Sequence, residues 1–109
     1  MNMQVQTSPV DNLVAGTFQQ LTKIVTLKAG KLYKRGEILE LDADNKAISL
    51  ATETKAKFIL VKDTDATAGD FDSLVFTTGQ FNLDECTFNQ SLDSTIIVDT
   101  LHTRSIFLK

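Results

Sequence analysis

Four aspartates crowd into the eleven residues Lys62 to Asp72, KDTDATAGDFD, directly after an apolar run. Carboxylates so placed are the raw material of a cation site or of general acid–base chemistry. A calcium loop of the EF-hand kind needs alternating ligands, a glycine at its sixth position and a bidentate glutamate at its twelfth. Counted from Asp63, the glycine falls at the seventh position and Leu74 takes the twelfth. The calcium reading fails on both counts. Asp, Thr, Ala and Gly between two apolar stretches instead mark a solvated turn whose side chains bond the backbone.

The other reactive residue types are sparse. The one histidine, His102, lies in TLHTRS, and the one cysteine is Cys86. No sequence signature ties either to a partner for nucleophilic catalysis, and together they fall short of a zinc ligand set. His102 reads as a surface or interface residue and Cys86 as a small buried hydrophobe. Five glycines stand singly at Gly16, Gly30, Gly36, Gly69 and Gly79, so no glycine-rich phosphate cradle forms. An enzyme is disfavoured, and no catalytic residue, metal or cofactor is expected.

Composition narrows the partners. Eleven basic and fourteen acidic residues give a net charge of −3, with the basic ones spread along the chain. Nucleic acid needs a concentrated basic face, so it is not an expected partner. No apolar run approaches the roughly 20 residues that span a bilayer, so a membrane is not expected either. The start, MNMQVQTSPVDNLVAG, has neither the basic nor the apolar region of a secretion signal, and the expected starting compartment is the cytoplasm.

The elements that would carry any site are mostly strands. At 109 residues the chain fits one core. Residues 1–16 are rich in Gln, Asn, Thr and Ser and hold the only proline, which reads as a flexible N-terminal arm ahead of a single domain over 17–109. The alternation Gln4, Val5, Gln6 suits an extended segment that orders on a partner by strand addition. KIVTLKAG is β-branched and ends at Gly30, and GEILELDADNKAISLA places a polar turn between two apolar stretches, a hairpin signal. KFILVK predicts a strand buried on both faces, and SLVFTTGQFNL continues as strand with a bulge or bend at Gly79. Four or five strands are in view. Near the end, Asp93 or Ser94 can cap a short helix in which Ile97, Val98 and Leu101 share one side, although TIIV also favours strand. SIFLK closes the chain as a last strand.

Two familiar patterns overlap this layout. KRGEILELDADNKA resembles the lipoyl or biotinyl carrier signature, with Lys46 as the residue to be modified. Such carriers place Asp or Met before that lysine, where this chain has Asn45, and they repeat the half-motif, which this chain does not. The broader resemblance is to the head decoration proteins of tailed phages, the family of the lambda head decoration protein D. It runs through VTLKAGKLYKRGEILEL (Val25 to Leu41), AKFILVKDTDATAGDFDSLVFTTGQFN (Ala56 to Asn82) and LHTRSIFLK, about half of the chain in the family's order. In that pattern a strand enters an acidic, alanine-containing turn and a second strand reaches a Gly-x-Phe element, here Gly79 and Phe81. The chain departs from it at Lys57 and Phe58, where a small residue is usual, and at Ser105, where glycine is common.

That resemblance implies a mainly β (α+β) fold: a small curled, barrel-like β-tulip domain with one short C-terminal helix behind a flexible N-terminal arm. It implies a homotrimer on the outer surface of the capsid at threefold or quasi-threefold positions, reached from the host cytoplasm. The partner would be the major capsid protein, and the task the cementing of the expanded head against internal DNA pressure. The arm residues expected to bind the capsid are Met3, Gln4, Val5, Gln6, Thr7, Ser8, Pro9 and Val10. Phe81 and Phe107 are expected either in the core or at the trimer seam.

Overall fold

A computed structural model describes residues 19–109 of the chain. Residues 3–10, the expected capsid-binding segment, lie outside the described residues. The fold is mostly β, built around a closed five-strand barrel with one short helix.

The barrel strands are β1 (Thr22–Leu27), β3 (Ile38–Leu41), β4 (Ala47–Ser49), β5 (Phe58–Leu60) and β7 (Phe71–Phe76), in the order β1-β4-β3-β5-β7. β7 returns to β1 along six antiparallel pairs, from Thr22↔Phe76 to Leu27↔Phe71, and closes the ring. One parallel contact, Leu27↔Ala47, joins β1 to β4. Closure leaves no free edge among these five strands. Four further strands lie outside it. β2 (Leu32–Tyr33) pairs with β6 (Thr64–Asp65), and β8 (Gly79–Phe81) runs parallel to β9 (Ile106–Leu108).

Period-two alternation sorts the strand side chains into two cores. Leu39, Phe58, Leu60 and Val75 point into the barrel with Val25, Leu27, Tyr33, Ala47 and Ala66. Their strand neighbours Ile38, Ile59 and Phe76 point outward, into a second core with Phe81, Cys86, Ile97, Leu101 and Ile106. KFILVK is therefore buried on both faces, as its unbroken apolar run predicts. Among the described residues the outer face of β1 has no such cover, and Ile24 stands 65% exposed.

Local chemistry sets the turns. Between β3 and β4 the Asp42 carboxylate accepts from the N–H of Asp44 at 2.8 Å and of Lys46 at 2.9 Å. Asn45 takes the left-handed conformation, φ 62°, that completes a three-residue hairpin loop. The helix α1 (Ser94–His102) begins where Asp93 accepts from the Thr95 N–H at 2.9 Å, and buries Ile97 and Leu101 four residues apart. Tertiary packing of that face overrides the strand preference of TIIV. The helix is tied down at both ends: Glu53 accepts from the Asp93 N–H at 2.9 Å, and Arg104 Nε donates to the Ala56 carbonyl at 3.2 Å.

Gly79 is neither bulge nor bend within a barrel strand. With φ 143° it starts β8 as the chain leaves the barrel, and a Cβ there would lie 2.7 Å from the Phe81 ring. Phe81 is fully buried and belongs to the second core, whereas Phe107 is half-buried and meets His102 edge-on at 4.8 Å.

Candidate functional site

The connector Lys62–Asp72 gives each of its four aspartates a structural donor. Asp63 accepts from the Arg35 N–H at 2.7 Å, and Asp65 from the N–H and hydroxyl of Thr67 at 2.9 and 2.6 Å. Asp70 takes the Ala29 N–H at 2.8 Å and the Lys46 ammonium at 2.7 Å, while Asp72 accepts from the Thr26 hydroxyl at 2.7 Å. The Thr67 hydroxyl and N–H hold Asp65 below the usual carboxylate range, and Lys46, then the Ala29 N–H, do the same for Asp70. The loop surrounds an open depression of about 690 Å³ lined by residues including Asp63, Asp65 and Phe71. Among the described residues no three His, Cys, Asp or Glu side chains gather as a metal-ligating group. The connector is a scaffold: Asp63, Asp70 and Asp72 bond chain segments far away in sequence, and Asp65 bonds its neighbour Thr67.

Lys46 stands directly after the left-handed Asn45 of the β3–β4 hairpin. A carrier domain needs that amine free at a hairpin tip. Here Lys46 Nζ pairs with Asp70, and this carboxylate beside it raises its pKa. The ion pair draws the side chain back across the barrel mouth.

One polar cluster has no counterpart in the sequence reading. Glu37 is 6% exposed and accepts from Lys31 Nζ at 2.9 Å, from the Ser49 hydroxyl and from the Lys34 N–H at 3.3 Å. Lys31 also donates to Ser49 and lies over the Tyr33 ring, 4.8 Å from its centroid. Burial, with the Glu37 charge second, raises the pKa of the Tyr33 phenol, whose hydroxyl donates to the Lys28 carbonyl at 2.7 Å. A buried carboxylate needs such partners. The only sequence cue is a Glu inside an apolar strand entry, RGEILEL, where a charge must either turn outward or find a cation.

Cys86 is buried in the second core, and burial pushes its thiol up to about 12, so it is inert as a nucleophile at neutral pH. His102 is exposed in the last turn of α1.

The surface that remains is apolar in places. Leu21, Ile24, Leu32, Phe71 and Ile96 are the exposed large hydrophobics among the described residues. Leu21 lies beside the point where the chain enters β1, held there by Thr77 and Thr78. Sequence reasoning passed over both threonines, because a Thr pair in TTGQF carries no signal until its distant partner is known. No helix among the described residues is long and apolar enough to cross a membrane. A scan of protein-family models and a search of curated proteins both find no match to the chain.

Proposed function

We propose that this chain is a capsid decoration protein of the tailed-phage type, which binds the outside of the expanded head as a trimer and cements it. The observation that carries the reading is the backbone at the two glycine positions of the family pattern. Gly79 has φ 143° and Ser105 has φ 65°, the left-handed region where glycine is favoured. The pattern's Gly-x-Phe element therefore has a physical cause: Gly79 makes room for the buried Phe81 ring.

The mechanism follows from shape and linkage. A trimer bridging neighbouring capsomers adds interface that must break before the shell opens, and linked modest contacts act through effective concentration. Binding only the expanded shell stabilises that state by mass action. Residues 3–10 order against the capsid protein, at a cost of roughly 1–2 kcal/mol per residue that new backbone bonds and burial of Val5 and Val10 offset. Strand pairing by this segment goes to the capsid protein, which gains a strand from it. The carrier reading is weaker because its lysine is held by Asp70.

Co-sedimentation with expanded and unexpanded heads of the encoding phage tests the proposal. The full chain pellets with expanded heads, whereas a chain lacking residues 1–14 stays folded and trimeric but remains in the supernatant. Unchanged affinity of the truncated chain would falsify the role of the arm. A lipoyl or biotin adduct on Lys46 in the intact mass would replace the whole reading with the carrier one.

A further inference from the structure

Residues Gln19 to Leu21 lead from the N-terminal segment into β1, and a pair of threonines between β7 and β8 grips their backbone. The Thr78 hydroxyl accepts from the Leu21 N–H at 3.0 Å and donates to the Gln19 carbonyl at 2.8 Å. The Leu21 carbonyl accepts in turn from the Thr77 N–H at 2.7 Å and the Thr77 hydroxyl at 3.1 Å. The next residue, Gly79, has no side chain where Gln20 passes: a Cβ there would stand 3.0 Å from Gln20 Cγ.

Barrel closure does not require this grip. The β1–β7 ladder already ends one residue further on, at Thr22↔Phe76. The threonines extend the hold on the chain past the end of the ladder, and they do so at the base of the segment that precedes β1. Both are half-buried, and between them they make all four bonds with two hydroxyls and one N–H.

We infer that Thr77 and Thr78 are positioning residues that fix the backbone of Gln19–Leu21, the base from which the capsid-binding arm of the proposal starts. This inference rests on the capsid reading above. A chain whose base is already fixed has fewer residues to order on binding, so losing the clip weakens attachment without removing a contact to the capsid.

The test compares the full-length protein with Thr78→Val, which keeps the shape and loses both side-chain bonds, and Thr78→Ser, which keeps them. Two readouts are taken: hydrogen exchange of the Leu21 amide in the isolated protein, and affinity for expanded heads. In Thr78→Val the Leu21 amide exchanges at least about tenfold faster, the Leu60 and Val75 amides stay protected, and head affinity falls about tenfold. Thr78→Ser restores both. Wild-type affinity in Thr78→Val despite a freed Leu21 amide overturns the positioning role while leaving the capsid reading intact. A wild-type chain that ignores expanded heads defeats the capsid reading, and the positioning role with it, even if exchange shows the clip in place.

Discussion

Ile59 and Leu60 are neighbours on one strand, yet they are enclosed by different means. Leu60 faces the barrel interior, which is ringed by hydrogen-bonded strands and closed by the six-pair β1–β7 ladder. Ile59 faces the second core, whose lid is the last third of the chain: β8, α1 and β9. That lid has its own three-residue β8–β9 ladder and is held to the rest by apolar packing, by the backbone bonds of Thr87 to Gly36 and Ile38, and by the bonds from Asp93 to Glu53 and from Arg104 to Ala56. The difference teaches where the molecule opens first. Backbone ladders that close on themselves come apart together, whereas a packed lid can lift while the barrel stays shut.

The strongest way to break that contrast is to empty each core in turn. Phe81→Ala removes the largest fully buried side chain of the second core and costs about 3–5 kcal/mol, and Leu60→Ala costs about 2–5 kcal/mol. Denaturant unfolding measures both losses, and hydrogen exchange separates them. In Phe81→Ala the amides of α1 and β9 lose protection while those of β1 and β7 keep it; in Leu60→Ala all four lose it together. Equal loss everywhere in both variants would mean that the two cores form one cooperative unit.

A smaller effect probes the buried cluster of Glu37, Lys31 and Ser49. Lys31→Met takes the cation from the buried Glu37 carboxylate and lowers stability by about 1–3 kcal/mol, and pairing it with Glu37→Gln recovers part of the loss. Non-recovery in that double variant would assign the cost to the lost contact of the Lys31 ammonium with the Tyr33 ring.

Ser105→Gly tests the lid in the opposite direction. A non-glycine residue in the left-handed region is strained by about 1–2 kcal/mol, and glycine's freer unfolded state offsets about 0.5–1 kcal/mol of that relief. The melting temperature rises by the equivalent of roughly 0.5–1 kcal/mol. A fall would show that the Ser105 side chain contributes something its backbone strain conceals.

Acid gives the mildest perturbation. The Lys46 N–H lowers the pKa of Asp42, the Asp93 N–H that of Glu53, the Thr67 hydroxyl that of Asp65 and the Lys46 ammonium that of Asp70. Each depressed carboxylate contributes stability that is complete above its unfolded value, near 4, and is lost as pH falls through the folded value. The melting temperature is therefore flat from neutrality to about pH 4 and declines below it. Glu53→Gln flattens the part of that decline seen in α1, and Asp70→Asn flattens the part seen at the barrel mouth. A decline that began near pH 6 would implicate some other group.

Much of this layout is legible in the chain. β1, the β3–β4 hairpin, the doubly buried β5 and the capped helix with Ile97 and Leu101 follow from β-branching, a polar turn between apolar stretches, an unbroken apolar run and an aspartate cap. Those signals act between residues a few positions apart, so the sequence by itself located these segments and their apolar faces, while the choice of helix over strand at TIIV and the break of SLVFTTGQFNL into β7 and β8 came from packing. It also read the aspartates of 62–72 as turn residues; Asp63 and Asp70 are, whereas Asp65 lies in β6 and Asp72 in β7, because each pairs with a distant strand that no local pattern names. Only the tertiary structure decided what each face meets. The closing β1–β7 ladder, the parallel β8–β9 pair, the Asp70–Lys46 ion pair and the Thr77–Thr78 grip on Gln19 and Leu21 join residues far apart in the chain. A local pattern states that a side chain needs burial or a donor, but the identity of the partner is fixed by closure and packing of the whole chain, where many distant candidates satisfy the same local need and only one arrangement satisfies all of them together.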